Sequence, residues 1–237
     1  MKKWQWILDL LSLIGVVAAG WMVFYYAPLE AVMGEVQRIF YFHVAAGWVG
    51  MLSFFLAMLF SILYLSRKDK RWDFLAVSAI EIGLVFVTVN VISGSIWARP
   101  IWNTWWTWDP RLTTAAIMLL IYAAYFILRA SLDDSAKQSR FSAVYAIIGF
   151  VSVPMTFLSI RLFRTIHPVL IGGLDPSSMG TFDMTQRMAL TLMVSLMAFT
   201  ILYASLLLRR YRLAQLSDEL QQQQAILRDE SFTPREN

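Results

Sequence analysis

Apolar residues run in six long blocks separated by short polar segments, at about Trp6–Tyr26, Val44–Leu65, Phe74–Ile96, Leu112–Leu128, Phe141–Ile160 and Met188–Leu208. A helix needs roughly 20 mainly apolar residues to cross the hydrocarbon of a bilayer, and each block is of that order. The pattern predicts an all-α polytopic membrane protein with six transmembrane helices. Residues 1–208 form one membrane domain, and the charged, Gln-rich residues 209–237 form a tail too short to be a second domain. In the tail, Leu213, Leu216, Leu220 and Leu227 recur at near-helical spacing, which fits a short amphipathic helix against the membrane surface or a partner as well as it fits disorder.

The first block follows Met1-Lys2-Lys3 and contains Ala18, Ala19 and Gly20, features shared with a cleavable signal peptide. It stays apolar through Trp21, Met22 and Val23, beyond a signal core of about 7–15 residues, so an uncleaved anchor is expected. No internal repeat is evident, which gives no support to an inverted-repeat transporter.

Composition agrees with the block pattern. The 237 residues are 58% hydrophobic and only 15% charged, too apolar for a soluble domain. With both termini in the cytoplasm, the inner segments collect Lys2, Lys3, Arg67, Lys68, Lys70, Arg71, Arg129, Lys137, Arg140, Arg209, Arg210, Arg212, Arg228 and Arg235. The outer segments then hold Arg38, Arg99, Arg111, Arg161, Arg164 and Arg187. This bias is the positive-inside pattern, so the net charge of +4 reports topology rather than affinity for nucleic acid. Absence of cysteine excludes disulfides, thiolate metal sites and thiol redox chemistry.

The outer connections are the longer ones, and they carry the residues of chemical interest. Between Trp97 and Arg111 stand Trp97, Trp102, Trp105, Trp106 and Trp108, half of the ten tryptophans in the chain. Tryptophan is enriched in interfacial belts, which accounts for Trp4, Trp6, Trp21, Trp48 and Trp72 but not for five in one segment. A dense indole surface suits a large flat ligand. Asp109 before Pro110 marks an N-cap with proline at the first helical position, so the fourth span starts directly after the Trp-rich loop.

The chain has two histidines, and the topology sends both to that same face. His43 lies at the outer end of the second span and His167 in the loop after the fifth. Two neutral imidazoles facing each other across a planar ligand are one way to hold haem iron. An interfacial histidine that only packs or hydrogen-bonds is about equally expected. Haem also carries propionates, and Arg99, Arg111, Arg161 and Arg164 lie near enough in sequence to pair with them, or alternatively with lipid phosphate. Asp9, Glu81 and Asn90 fall inside apolar spans, where polar groups are costly. Asp9 is near the inner end and reads as structural, whereas Glu81 is deeper and suited to contact a partner helix. No Gly-rich nucleotide loop, His-Glu-x-x-His or Gly-x-Ser-x-Gly motif is present, so any ATP-driven work needs a partner.

The stretch Gly94-Ser95-Ile96-Trp97, followed by Trp102 and by Trp105-Trp106-Thr107-Trp108-Asp109-Pro110-Arg111-Leu112-Thr113, resembles the tryptophan-rich signature of the haem-handling membrane proteins of cytochrome c maturation. With six spans, the chain most resembles the haem exporter protein C (CcmC) family over nearly its whole length. The resemblance implies a protein that holds haem b at the periplasmic face of the bacterial inner membrane, with both termini cytoplasmic. It implies His43 and His167 as axial iron ligands, and Trp97, Trp102, Trp105, Trp106, Trp108 and Asp109 as haem-binding residues. It also implies delivery of haem to the chaperone CcmE, whose own histidine forms the covalent bond, and association with the ABC transporter subunits CcmA and CcmB and the one-span helper CcmD. Any enzymatic character would be limited to that attachment. The chain departs from the family at Ala98 and Asn103, where glycine is common, and at Ala45, where proline follows the His-Val pair.

Three other readings stand beside haem delivery. One is a permease moving haem across the bilayer, opposed by the outer clustering of candidate ligands. Another is a haem lyase acting directly on apocytochrome, opposed by the small number of spans and histidines. The third is a membrane scaffold whose Trp loop packs on a partner.

Overall fold

The computed structural model describes residues 3–31, 33–167 and 184–232. Its helices are α1 (Lys3–Trp21), continued by a π-helical turn at Met22–Tyr26, then α2 (Arg38–Arg67), α3 (Lys70–Trp102), α4 (Pro110–Ala130), α5 (Ser135–Gly149), α6 (Ser152–Leu162) and α7 (Gln186–Phe232). Six segments are long and apolar enough to cross a membrane, α5 and α6 together forming the fifth. The expected all-α multi-pass architecture is therefore observed. Among the described residues, β-structure is limited to one bridge between Glu30 and Gly34.

Helix ends are set by local chemistry. Lys68 turns left-handed at φ 57° to end α2, and the Asp69 side chain accepts the Arg71 N–H to start α3. The result is a tight α2–α3 hairpin. Asp134 caps α5 through the Lys137 N–H, and Asp109 caps α4 through the Arg111 N–H, with Pro110 in the first turn, as the sequence predicts.

The fifth span differs from the single helix expected at Phe141–Ile160. It begins at Ser135 and breaks between Gly149 and Ser152. Pro154 has no N–H to give to the Phe150 carbonyl, which accepts instead from Val153 at 2.9 Å. That tighter bond leaves the Gly149 carbonyl without its usual helical donor, and Ser152 Oγ donates to it at 2.6 Å. A proline break in a membrane helix survives where hydroxyls re-satisfy the freed groups in this way.

The α2–α3 pair is the centre of the bundle, with α4 and α5 along one flank, α7 along the other, α6 against α4, and α1 packed on α7. Close approach is built from small residues, as expected where lipid gives no hydrophobic drive for helix association. A Cβ on Gly83 would lie 2.7 Å from the Phe54 ring and 2.8 Å from Ser53 Cβ, and one on Gly50 would overlap Val87. Phe54 in turn stacks on Tyr122 of α4, ring centroids 3.4 Å apart. The rigid centre formed in this way positions the ends of α2, α3 and α4 that flank the Trp-rich segment.

The carboxylates of Asp9, Asp73 and Glu81 inside the helices are paired. Asp9 accepts from Arg209 and Ser205 of α7, in keeping with a structural role. Glu81 pairs with Arg210 of the same helix, with a hydrogen bond of 2.7 Å. Arg129 of α4 forms a two-pronged pair with Asp73 of α3 at 2.9 and 2.6 Å, and Ser139 of α5 donates to the same carboxylate. Trp48, expected in an interfacial belt, donates from α2 to Thr200 of α7 at 3.0 Å. α7 runs unbroken through Phe232 for 47 residues, about 70 Å at a rise of about 1.5 Å per residue, well beyond the roughly 30 Å of bilayer hydrocarbon. Lys70 meets Asp218 at 3.4 Å and holds the extension beside the α2–α3 turn, with Leu213, Leu216, Leu220 and Leu227 exposed.

Candidate functional site

The ends of α2, α3 and α4 beside the Trp-rich segment surround a cavity of about 980 Å³, its open mouth included. Each helix contributes one face. Phe40, His43, Gly47 and Met51 line it from α2, Asn90, Gly94 and Trp97 from α3, and Arg111, Ala115 and Met118 from α4. These spacings of three, four and seven are those of a single helical stripe.

The Trp segment divides into two parts. Its first part is helical, because α3 continues past the expected end at Ile96 to Trp102 despite Pro100. Trp97 and Trp102 meet edge to face, centroids 5.1 Å apart, and both line the cavity with Trp106. Trp105 and Trp108 point outward, 59% and 80% exposed, although Trp108 touches Trp106 edge to face at 6.0 Å. The Trp97 Nε1 is buried with no hydrogen-bond partner among the described residues. An indole N–H in that state is available to an acceptor on a ligand.

His43 and His167 come together from segments 124 positions apart in sequence, and both line the cavity. Their ring centroids are 6.4 Å apart, with the planes inclined at 37°. A bond from a metal to an imidazole nitrogen is about 2.0–2.1 Å, and the centroid lies about 1.1 Å behind that nitrogen, so a linear N–metal–N unit spans about 6.3 Å. The observed spacing matches that span. Among the described residues no three His, Cys, Asp or Glu side chains converge as a metal cage, so the pair suits a metal whose other ligands come with it, as in a porphyrin.

Asp109 does more than cap α4, and it acts away from the cavity lining. Its carboxylate accepts from the Arg111 N–H at 2.9 Å, the Thr165 hydroxyl at 2.7 Å and the Ile166 N–H at 3.0 Å. Thr165 Oγ1 then accepts from the His167 N–H at 3.0 Å. The acidic residue of the Trp motif thereby ties the start of α4 to the strand of chain that carries His167.

The four candidate arginines have different surroundings. Arg111 lines the cavity and donates to the Thr156 carbonyl of α6, leaving the rest of its guanidinium fork beside the aromatic wall. Arg99 is exposed and caps the end of α3, donating to Asn103 O and Oδ1 at 2.8 and 2.7 Å. Asn103 takes the left-handed conformation at φ 55°, which asparagine adopts more readily than most residues. Arg161 lies over the Phe157 ring at 5.8 Å. Neither Arg161 nor Arg164 is part of the cavity lining.

Asn90 has a place that its isolated position in the sequence did not reveal, although the shared face of Asn90, Gly94 and Trp97 was a usable signal. It hydrogen-bonds to His43 through both side chain and backbone.

Comparison with known proteins gives a consistent result. The family model described as "Heme exporter protein C", CcmC, matches residues 1–226. Similar proteins include "Heme exporter protein C" of Bradyrhizobium diazoefficiens, 30% identical over 189 residues, 78% of this chain and 69% of the relative. Another is "Heme exporter protein C" of Escherichia coli, 29% identical over 210 residues, 87% of this chain and 83% of the relative. A "Putative cytochrome c biosynthesis ccmC-like mitochondrial protein" of Marchantia polymorpha is 30% identical over 156 residues, 66% of this chain and 63% of the relative.

Proposed function

The chain belongs to the haem exporter protein C (CcmC) family, and from that membership we propose that it binds haem b at the periplasmic face of the inner membrane and delivers it to the chaperone CcmE during cytochrome c maturation. The single observation that carries this reading is the pairing of His43 with His167 at 6.4 Å on a cavity walled by Trp97, Trp102 and Trp106. Haem would supply the iron to be ligated and the vinyl group that becomes joined to the chaperone. His43 and His167 would hold the iron, Trp97, Trp102 and Trp106 would pack against the macrocycle, and Arg111 would pair with a propionate. Arg99, Arg161 and Arg164, with Trp105 and Trp108, belong to the rim, where they meet the incoming chaperone or lipid headgroups.

The protein's part in attachment is to orient haem and keep water from it, so the gain is one of positioning. Residues 209–237 extend into the cytoplasm, and the subunits CcmA, CcmB and CcmD are the proposed partners in the membrane. The orphan Trp97 Nε1 and the absence of any nucleotide-binding motif support binding and hand-over rather than autonomous pumping.

The test is optical. Full-length protein purified from haem-replete cells is expected to show a Soret band that is lost or shifted in the double variant His43→Ala, His167→Ala. An unaltered band in that variant overturns the ligand assignment. Haem accumulation in vesicles that contain this protein alone would favour the permease reading.

A further inference from the structure

The structure surrounds one of the two proposed iron ligands with a bonding pattern that no local motif announces. His43 Nδ1 lies 3.0 Å from the Asn90 carbonyl oxygen and 3.2 Å from Ser93 Oγ. Ser93 Oγ spends its proton on that same carbonyl at 3.1 Å, so both neighbours of Nδ1 present lone pairs. Nδ1 therefore carries the hydrogen, and Nε2 carries the free pair. The Asn90 side chain completes the hold by donating from Nδ2 to the His43 carbonyl at 2.9 Å.

The same Nδ2 lies 3.3 Å from Nδ1 and 3.4 Å from Nε2. A donor on either lone-pair axis would be much nearer one nitrogen than the other, so the amide leaves Nε2 open to the cavity. Two glycines make this arrangement possible. A Cβ on Gly94 would stand 2.9 Å from His43 Cε1, and one on Gly47 would stand 2.8 Å from Asn90 Nδ2. An amide within a membrane span is costly unless its hydrogen bonds are made, and here the bonds it makes go to a single residue.

We propose that Asn90 is a positioning residue, which together with the space left by Gly47 and Gly94 fixes the ring orientation and tautomer of His43 so that Nε2 faces the iron. The inference rests on the haem-binding reading above and names a residue that acts through the ligand without touching the haem. Partners of this kind fix a ligating histidine's tautomer and direction, and their loss costs about 10–100-fold in metal affinity.

The experiment uses full-length protein in detergent, titrated with haemin and read by absorption and by electron paramagnetic resonance. Asn90→Leu keeps the volume and removes the donor, while Gly94→Ala pushes on the ring and leaves Asn90 intact. Each variant is expected to lose haemin affinity by about 10–100-fold and to convert part of the low-spin ferric signal to high spin. Asn90 as mere filler predicts wild-type affinity and spin state in Asn90→Leu. If both variants keep the wild-type signal and affinity while His43→Ala loses them, the assignment of Asn90 is overturned and the ligand reading stands. If His43→Ala itself keeps the wild-type signal, the ligand reading fails and Asn90 falls with it. Should Asn90→Leu not accumulate, Asn90→Ala removes the same donor and decides between these outcomes, Gly94→Ala reporting only on the space the ring needs.

Discussion

Replacing Asp109 by alanine should weaken haem binding without removing any group from the cavity. The carboxylate caps α4 through Arg111 N–H and receives Thr165 Oγ1 and Ile166 N–H. Loss of an N-cap costs about 1 kcal/mol, and hydrogen bonds to a charged group are worth about 1.5–3 kcal/mol each. The three bonds share one carboxylate and do not add fully, so a loss of about 3 kcal/mol in the tether of residues 165–167 is expected, with about 1.4 kcal/mol to each factor of ten. The held position of His167 would then be depopulated by about 100-fold, and haemin affinity should fall by that order. Asp109→Asn keeps one acceptor oxygen for Arg111 and Thr165 but turns an amide N–H toward Ile166, so a fall of about tenfold is expected, one bond of about 1.5 kcal/mol. The assay is haemin titration followed at the Soret band in detergent, with thermal unfolding in parallel. Wild-type affinity in Asp109→Ala, alongside weakened binding in His167→Ala, would refute the tether. So would a lower unfolding temperature with unchanged affinity.

Three further outcomes follow from the same geometry. Arg111→Ala should lose haemin affinity by about tenfold or more, one charge-assisted bond, whereas Arg99→Ala should leave affinity unchanged because its fork is committed to Asn103; equal losses in the two titrations would contradict this division. Arg129→Ala strands the buried Asp73 carboxylate and should destabilise the bundle by about 3–5 kcal/mol, seen in denaturant unfolding, with a smaller effect when Asp73 is replaced as well. Because the native chain has no cysteine, single cysteines at Thr104 and Ser135 can be labelled in intact cells with an impermeant maleimide. Thr104 should react from outside and Ser135 only after lysis, and labelling of both from outside would contradict the orientation.

Much of this protein was readable along the chain. Six apolar spans and the α4 start at Asp109-Pro110 follow from hydropathy and capping. Those signals act over a few residues, within one helix or one turn, and the bilayer enforces them by making unsatisfied backbone prohibitive. The Trp segment and the two histidines also stood out by composition. The kink at Pro154 and the unbroken run of α7 into its tail did not, since each depends on which neighbour satisfies a carbonyl or holds a side chain.

What tertiary structure decided was partnership at long range. It set His43 against His167, turned Trp97, Trp102 and Trp106 inward and Trp105 and Trp108 outward, and gave Arg111 to the cavity and Arg99 to a helix end. It also joined Asp9 to Arg209, Glu81 to Arg210 and Asn90 to His43. The pairings that involve α2 and α3 depend on how these helices rotate about their axes, and the close contacts of Gly50 and Gly83 between them constrain that rotation. Hydropathy carries no information on that angle, because lipid accepts any apolar face equally and only packing between helices chooses one.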